Sequence, residues 1–162
     1  VVLGWKRNQA LRAGSPPCRK GEKSMPAKSG DIDAEISHDG GCECGALRYR
    51  VTGAAYGSGY CHCRICQRTS GAPAQAFARI LAEQFRYTKG EPMVFQSSDH
   101  GQREFCAICG SQLLYRGRQA PHDVAFNTPT LDDPEAYPPR EHVWRRSRIS
   151  WFETADKLPR KE

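Results

Sequence analysis

The chain has 162 residues, 38% of them hydrophobic, and a formal charge of +6 at pH 7. That length buries one core but is short for two independent ones, and no run approaches the roughly 18 consecutive apolar residues of a membrane span. The start, VVLGWKRNQALR, lacks the long apolar middle of a secretory signal, so the expected setting is cytoplasmic.

The charge sits at one end. Residues 1–30 carry seven basic side chains (Lys6, Arg7, Arg12, Arg19, Lys20, Lys23, Lys28) against Glu22 alone, and the rest of the chain holds 17 basic and 17 acidic side chains. Residues 1–36 are therefore expected to be a disordered basic tail, because a charged, Gly/Ser/Pro-containing stretch cannot offset its chain entropy by burial. Nucleic acid is not an expected partner except through this tail. Met25 is a candidate start, with the preceding residues an extension; the intact mass of the natively expressed protein tests this.

Residues 37–162 are expected to be one domain of short strands separated by turns. Leu47, Tyr49 and Val51 alternate with Arg48 and Arg50, the two-residue period of a half-buried strand, and Gly53 follows as a stop. Similar runs are predicted at Gln75 to Ile80, Gln84 to Thr88, Met93 to Ser97, Ser111 to Arg116 and Asp123 to Asn127. Lys89-Gly90-Glu91-Pro92 reads as the turn between two of them. Helical signal is confined to Cys66 to Ser70 and to a short turn at Leu131 to Ala136, where Asp132 and Asp133 suit a helix start. Val143, Trp144, Ile149, Trp151 and Phe152 are expected to close over the sheet as core, since aromatic residues in a small β domain usually serve burial.

The cysteine spacing is the most informative feature: Cys42-Glu43-Cys44, Cys61-His62-Cys63-Arg64-Ile65-Cys66, and Cys106-Ala107-Ile108-Cys109-Gly110. Cys-x-x-Cys-Gly turns two sulfurs to one side of a turn, and Cys-x-Cys does the same from an extended strand end. Persistent disulfides are uncommon in the cytosol, so such clusters read as metal sites, and sulfur-rich tetrahedral sets favour zinc. Seven ligands do not fill two four-ligand sites. Cys42, Cys44, Cys106 and Cys109 make a closed structural set. Cys61, Cys63 and Cys66 leave a fourth position either open, the pattern of catalytic zinc, or filled by a histidine, with His38, His100, His122 and His142 as alternatives. Alternation points His62 away from a metal held by both its neighbours. Cys18, in the tail, reads as a free thiol.

These three motifs, with Gly40-Gly41 and Gly45 around the first, Gln67-Arg68-Thr69-Ser70-Gly71-Ala72 after the second and Phe105 and Ser111 around the third, resemble the glutathione-dependent formaldehyde-activating enzyme family, which includes the centromere protein V domain. Thr130-Leu131-Asp132-Asp133-Pro134 and His142-Val143-Trp144 are similar to its closing segment, and the resemblance covers about residues 38 to 161. It implies a mainly β, compact antiparallel fold called a β-tent, with few short helices and two zinc ions per chain. It also implies the same division of the cysteines: a structural zinc on Cys42, Cys44, Cys106 and Cys109, a catalytic one on Cys61, Cys63 and Cys66.

The activity implied is that of a carbon-sulfur lyase acting reversibly on glutathione, or another small thiol, and formaldehyde or a related small aldehyde. Arg64 and Arg68 are candidate contacts for the glutathione carboxylates, with solvated surface arginine as the alternative, and His62 is a candidate proton relay. The competing reading is a non-enzymatic, zinc-stabilised binding module for protein or nucleic acid.

Overall fold

The computed structural model describes residues 36–162. The basic tail, Met25 and Cys18 lie outside the described residues. Among the described residues no helix is long and apolar enough to cross a membrane.

The fold is mainly β. Strands β1 (Ser37–Gly41), β2 (Arg48–Thr52), β3 (Gly57–Cys61), β4 (Gln75–Leu81), β5 (Phe85–Lys89), β6 (Met93–Ser98), β7 (Gly101–Phe105), β8 (Gln112–Gly117), β9 (Asp123–Phe126) and β10 (His142–Val143) are joined by short connections and one α-helix, α1 (Arg64–Ser70). They form a three-stranded sheet in the order β1-β2-β5 and a seven-stranded sheet in the order β10-β3-β4-β9-β8-β7-β6. Pairing is antiparallel except for β10, which runs parallel to β3. The turn expected at Leu131 to Ala136 is a three-residue 3-10 turn at Pro134–Ala136, where the Asp133 side chain accepts from the Glu135 N–H.

The core lies between the sheets and follows the alternation of their strands. Tyr49 and Val51 of β2 are fully buried and meet Phe85 of β5, Ala78 and Ile80 of β4, and Val124 and Phe126 of β9. Tyr49 stacks on Phe85 at 4.9 Å, and its hydroxyl reaches Thr130 Oγ1 at 2.8 Å, so a buried phenol keeps a hydrogen-bond partner. Leu113 and Leu114 are both buried although consecutive. A bulge opposite Glu104 and Phe105 inserts Leu113 as an extra residue in β8, and the strand turns both leucines inward.

The segment from His142 onward departs from its expected role at its tryptophans, while Val143, Ile149 and Phe152 are half-buried. Trp144 is 46% exposed and Trp151 is 74% exposed. The buried residue of this segment is instead His142, whose strand docks on β3 through hydrogen bonds from the Tyr60 N–H to Glu141 O and from the His62 N–H to Val143 O. Aromatic content does not decide burial here, because the space between the sheets is already filled from β2, β4, β5, β8 and β9.

Candidate metal centres and cleft

Two tight turns carry the first cysteine set. After β1 the chain turns at Cys42 to Leu47, closed by the Cys42 N–H to Leu47 O (3.1 Å) and the Gly45 N–H to Cys42 O (3.0 Å). After β7 it repeats the device: the Cys106 N–H donates to Ser111 O and the Gly110 N–H to Cys106 O, each at 2.9 Å. Gly110 has φ 77°, a left-handed conformation that glycine adopts without steric cost. The turns face one another and are pinned by the Glu43 N–H donating to Ser111 Oγ at 3.2 Å.

Their four sulfurs lie within 4.8 Å of one another, with Cys42 and Cys44 at 3.6 Å and Cys44 and Cys106 at 3.7 Å. Those spacings are far beyond a sulfur-sulfur bond of about 2.05 Å. They match the edge, about 3.8 Å, of a tetrahedron built on metal-sulfur bonds of about 2.3 Å. Two of the sulfurs, those of Cys42 and Cys109, sit as acceptors. Burial opposes charge on Cys42, but the Leu47 N–H at 3.2 Å and the neighbouring thiols hold it below the ordinary thiol value. The Ser111 hydroxyl brings Cys109 down to about 5. This donor set fits a tetrahedral metal ion.

The second set is built by a strand end and a helix start. Cys61 is the last residue of β3, Cys63 caps α1, and Cys66 stands in its first turn, where its N–H donates to Cys63 Sγ at 3.3 Å. Hydrogen bonds from the Cys61 and Cys66 thiols, joined by the Cys66 and Ile65 N–H groups, push Cys63 well below the ordinary thiol range. The three sulfurs again lie within 4.8 Å of one another. Among the described residues no fourth Cys, His, Asp or Glu completes the set. Of the histidines held open as alternatives, His38 lies edge-on to Tyr137, His122 is exposed and His142 bonds His62, while His100 is exposed on the wall of the same cleft as the triplet but outside the group of sulfurs that lie within 4.8 Å of one another.

The triplet lines a cleft of about 750 Å³. Arg64, Arg79, Arg103 and Arg146 line the same cleft, against Glu141 as its one carboxylate among the described residues. Phe77, Tyr115 and Trp144 supply apolar wall. Of the expected contacts, Arg64 lies on the cleft with Nη1 on Gln67 Oε1, whereas Arg68 is exposed in the last turn of α1 and is not among the lining residues. His62 is fully buried, its Nε2 is 2.8 Å from His142 Nδ1, and burial takes its pKa down to about 4. His142 Nε2 in turn lies 3.1 Å from both Asp156 oxygens. An ionised Asp156 accepts from His142 Nε2–H, which leaves His142 Nδ1 to accept from His62 Nε2–H.

Two residues of the site carry no signal of their contacts in the sequence. Gln67, buried in α1, donates to His62 O at 2.7 Å and Ser147 O at 3.0 Å, locking the cysteine segment to the C-terminal segment. Arg103 of β7 donates to Cys66 Sγ at 3.3 Å. A lone arginine in a strand reads as solvated until the opposing strand is known.

The family model described as glutathione-dependent formaldehyde-activating enzyme matches residues 37–147. A Halomonas elongata protein named "Putative glutathione-dependent formaldehyde-activating enzyme" is 27% identical over 124 residues, covering 71% of this chain and 79% of that protein. The crystal structure of a Rhodobacter sphaeroides protein is similar in fold, with a TM-score of 0.50 at 21% identity, over 60% of this chain and 93% of that one.

Proposed function

Because the chain belongs to the glutathione-dependent formaldehyde-activating enzyme family, we propose that it is a zinc-dependent carbon-sulfur lyase joining the glutathione thiol to formaldehyde or a related small aldehyde. The observation that carries this reading is the inequality of the two cysteine sets: four sulfurs at the paired turns, three on the cleft. In this reading residues 37–162 form the zinc-binding unit. Cys42, Cys44, Cys106 and Cys109 hold a structural zinc, and Cys61, Cys63 and Cys66 hold a second ion with one position left for substrate. When bound there, zinc supplies the positive charge that favours the thiolate form of an incoming thiol at neutral pH.

The reaction is balanced within its two substrates. The sulfur-carbon bond forms, the carbonyl π pair moves to oxygen, and oxygen takes up a proton in place of the one the thiol loses, giving S-hydroxymethylglutathione; the reverse breaks the same bond. The chain's residues bind and shield. Arg64, Arg79 and Arg146 offer cations to the two glutathione carboxylates, and Phe77, Val143 and Trp144 remove water from the reacting end. Gln67 and the paired strands β3 and β10 hold the cysteine segment in place.

Exchange NMR on an equilibrium mixture of glutathione, formaldehyde and their adduct tests the proposal. Zinc-loaded wild type is expected to speed exchange, and Cys63→Ser is expected to lose that effect while staying folded. Equal exchange with both proteins removes this reaction.

A further inference from the structure

Arg103 is a buried cation that contacts sulfur and no carboxylate. It is 5% exposed, and arginine is almost never fully buried without a partner. Its Nη2 donates to Cys66 Sγ at 3.3 Å, its Nη1 lies 3.5 Å from Gln75 Oε1 and from Gln112 Oε1, and its guanidinium lies 5.1 Å over the Tyr115 ring. Its Nε is buried without a hydrogen-bond partner. The neighbouring carboxylate is out of reach: Glu104 points to the other face of β7 and pairs with Arg116. Among the described residues no Asp or Glu forms an ion pair with Arg103, so the cysteine cluster is the one group it contacts that would carry negative charge when holding a metal ion.

We infer that Arg103 is the built-in counter-charge of the cleft cluster and selects a thiolate over a neutral donor at the fourth position. The inference rests on the reading that Cys61, Cys63 and Cys66 hold a divalent ion. Three thiolates and a dication sum to −1, and Arg103 brings the sum to zero. An incoming thiolate then leaves −1 in a half-buried cleft. Without Arg103 it would leave −2, a charge poorly hydrated there. The four-cysteine set sums to −2; among the described residues no arginine hydrogen-bonds its sulfurs, and Cys44 and Cys109 are exposed to water while Cys42 and Cys106 are buried. Arg103 acts through Cys66 and the local field, so it is a positioning residue.

The test loads wild type, Arg103→Gln and Arg103→Lys with cobalt(II). Each is titrated with 2-mercaptoethanol, an anionic donor once bound, and with imidazole, a neutral donor, reading the sulfur-to-cobalt charge-transfer and d-d bands. Arg103→Gln is expected to weaken thiol binding by about tenfold or more and to leave imidazole binding within about twofold, and Arg103→Lys is expected to recover most of the thiol affinity. Equal losses for both donors reduce Arg103 to a structural part and overturn the inference, as does unchanged thiol binding. If Arg103→Gln does not load cobalt, Arg103→Lys decides: selectivity for thiol kept supports the charge account, and selectivity lost overturns it. No aldehyde is present, so the titration tests Arg103 even in a chain that fails the exchange assay. Failure of wild type to take cobalt at the triplet removes the metal reading and this inference with it.

Discussion

Trp144 is the one non-glycine residue with positive φ among those described, at φ 60° and ψ 39°. A left-handed conformation costs a residue with a Cβ about 1–2 kcal/mol, and this one borders the cleft with Arg146 stacked 4.7 Å over the indole. The strain is held by its neighbours, since Val143 O accepts from the His62 N–H and the Arg145 N–H donates to Lys161 O. Trp144→Gly suits the backbone and is expected to keep the unfolding free energy within about 1 kcal/mol of wild type. Trp144→Val, β-branched in the same conformation, is expected to lose about 2 kcal/mol or more, and denaturant titration separates the two. Tyr49 gives a pH prediction at the same scale. Burial raises its phenol pKa far above the ordinary value, and the Thr130 hydrogen bond only partly offsets this. A folded pKa above the unfolded value of about 10 means stability is fully present below that pH and lost above it, where the unfolded chain releases a proton the folded chain retains. Wild type is expected to lose stability between about pH 9.5 and 11, and Tyr49→Phe to lose less, by denaturant midpoints along that range.

At the scale of elements, the connection between β5 and β6 joins strands that do not pair. β5 ends the three-stranded sheet and β6 edges the seven-stranded one, so Gly90 carries the chain from one sheet to the other rather than closing a hairpin. It does so at φ 72° against the first cysteine turn, where an added Cβ would stand 2.4 Å from Ala46 O and 2.7 Å from Leu47 Cδ2. Lys89 Nζ donates to Gly45 O at 2.7 Å beside it. Gly90→Ala must therefore displace the turn that carries Cys42 and Cys44. A loss of about 2–4 kcal/mol is expected, together with faster loss of metal from the four-cysteine set under chelator. A melting temperature equal to that of wild type would contradict this account of the contact.

Across the whole molecule the proposed metal sites would have different mechanical duties. With a metal bound, the set at Cys42, Cys44, Cys106 and Cys109 would fasten the turn after β1, in one sheet, to the turn after β7, in the other. The set at Cys61, Cys63 and Cys66 lies within one short segment. A metal that bridges distant segments stabilises the fold more than one held within a single turn, because it closes a longer loop of the unfolded chain. Stepwise chelation is expected to release metal from the triplet with little change in far-ultraviolet circular dichroism, and to unfold the domain when the bridging set is stripped. Cys109→Ser is accordingly expected to lower the melting temperature by several degrees more than Cys63→Ser. A larger destabilisation by Cys63→Ser would reverse these duties.

The sequence by itself determined the mainly β class and the strands that alternate, because a half-buried strand writes its two faces into every second residue, as at Leu47 to Val51. It also marked the cysteine pairs and the triplet, because ligand spacing within a turn is a local property, whereas the meeting of Cys44 with Cys106 across 62 positions belongs to the tertiary structure. It was silent on β1, SHDGG, and β3, GSGYC, whose glycines carry no facing pattern, and on β7, buried on both faces at Arg103 and Glu104. Only the tertiary structure decided which side chains meet across long separations. His62 meets His142 across 80 positions, and Arg103 meets Cys66 across 37. It also turned Trp144 from expected core into a wall of the cleft. The physical reason is common to all of these: periodicity reports one strand against water, whereas a buried charge or a cleft wall is defined by the strand that packs opposite.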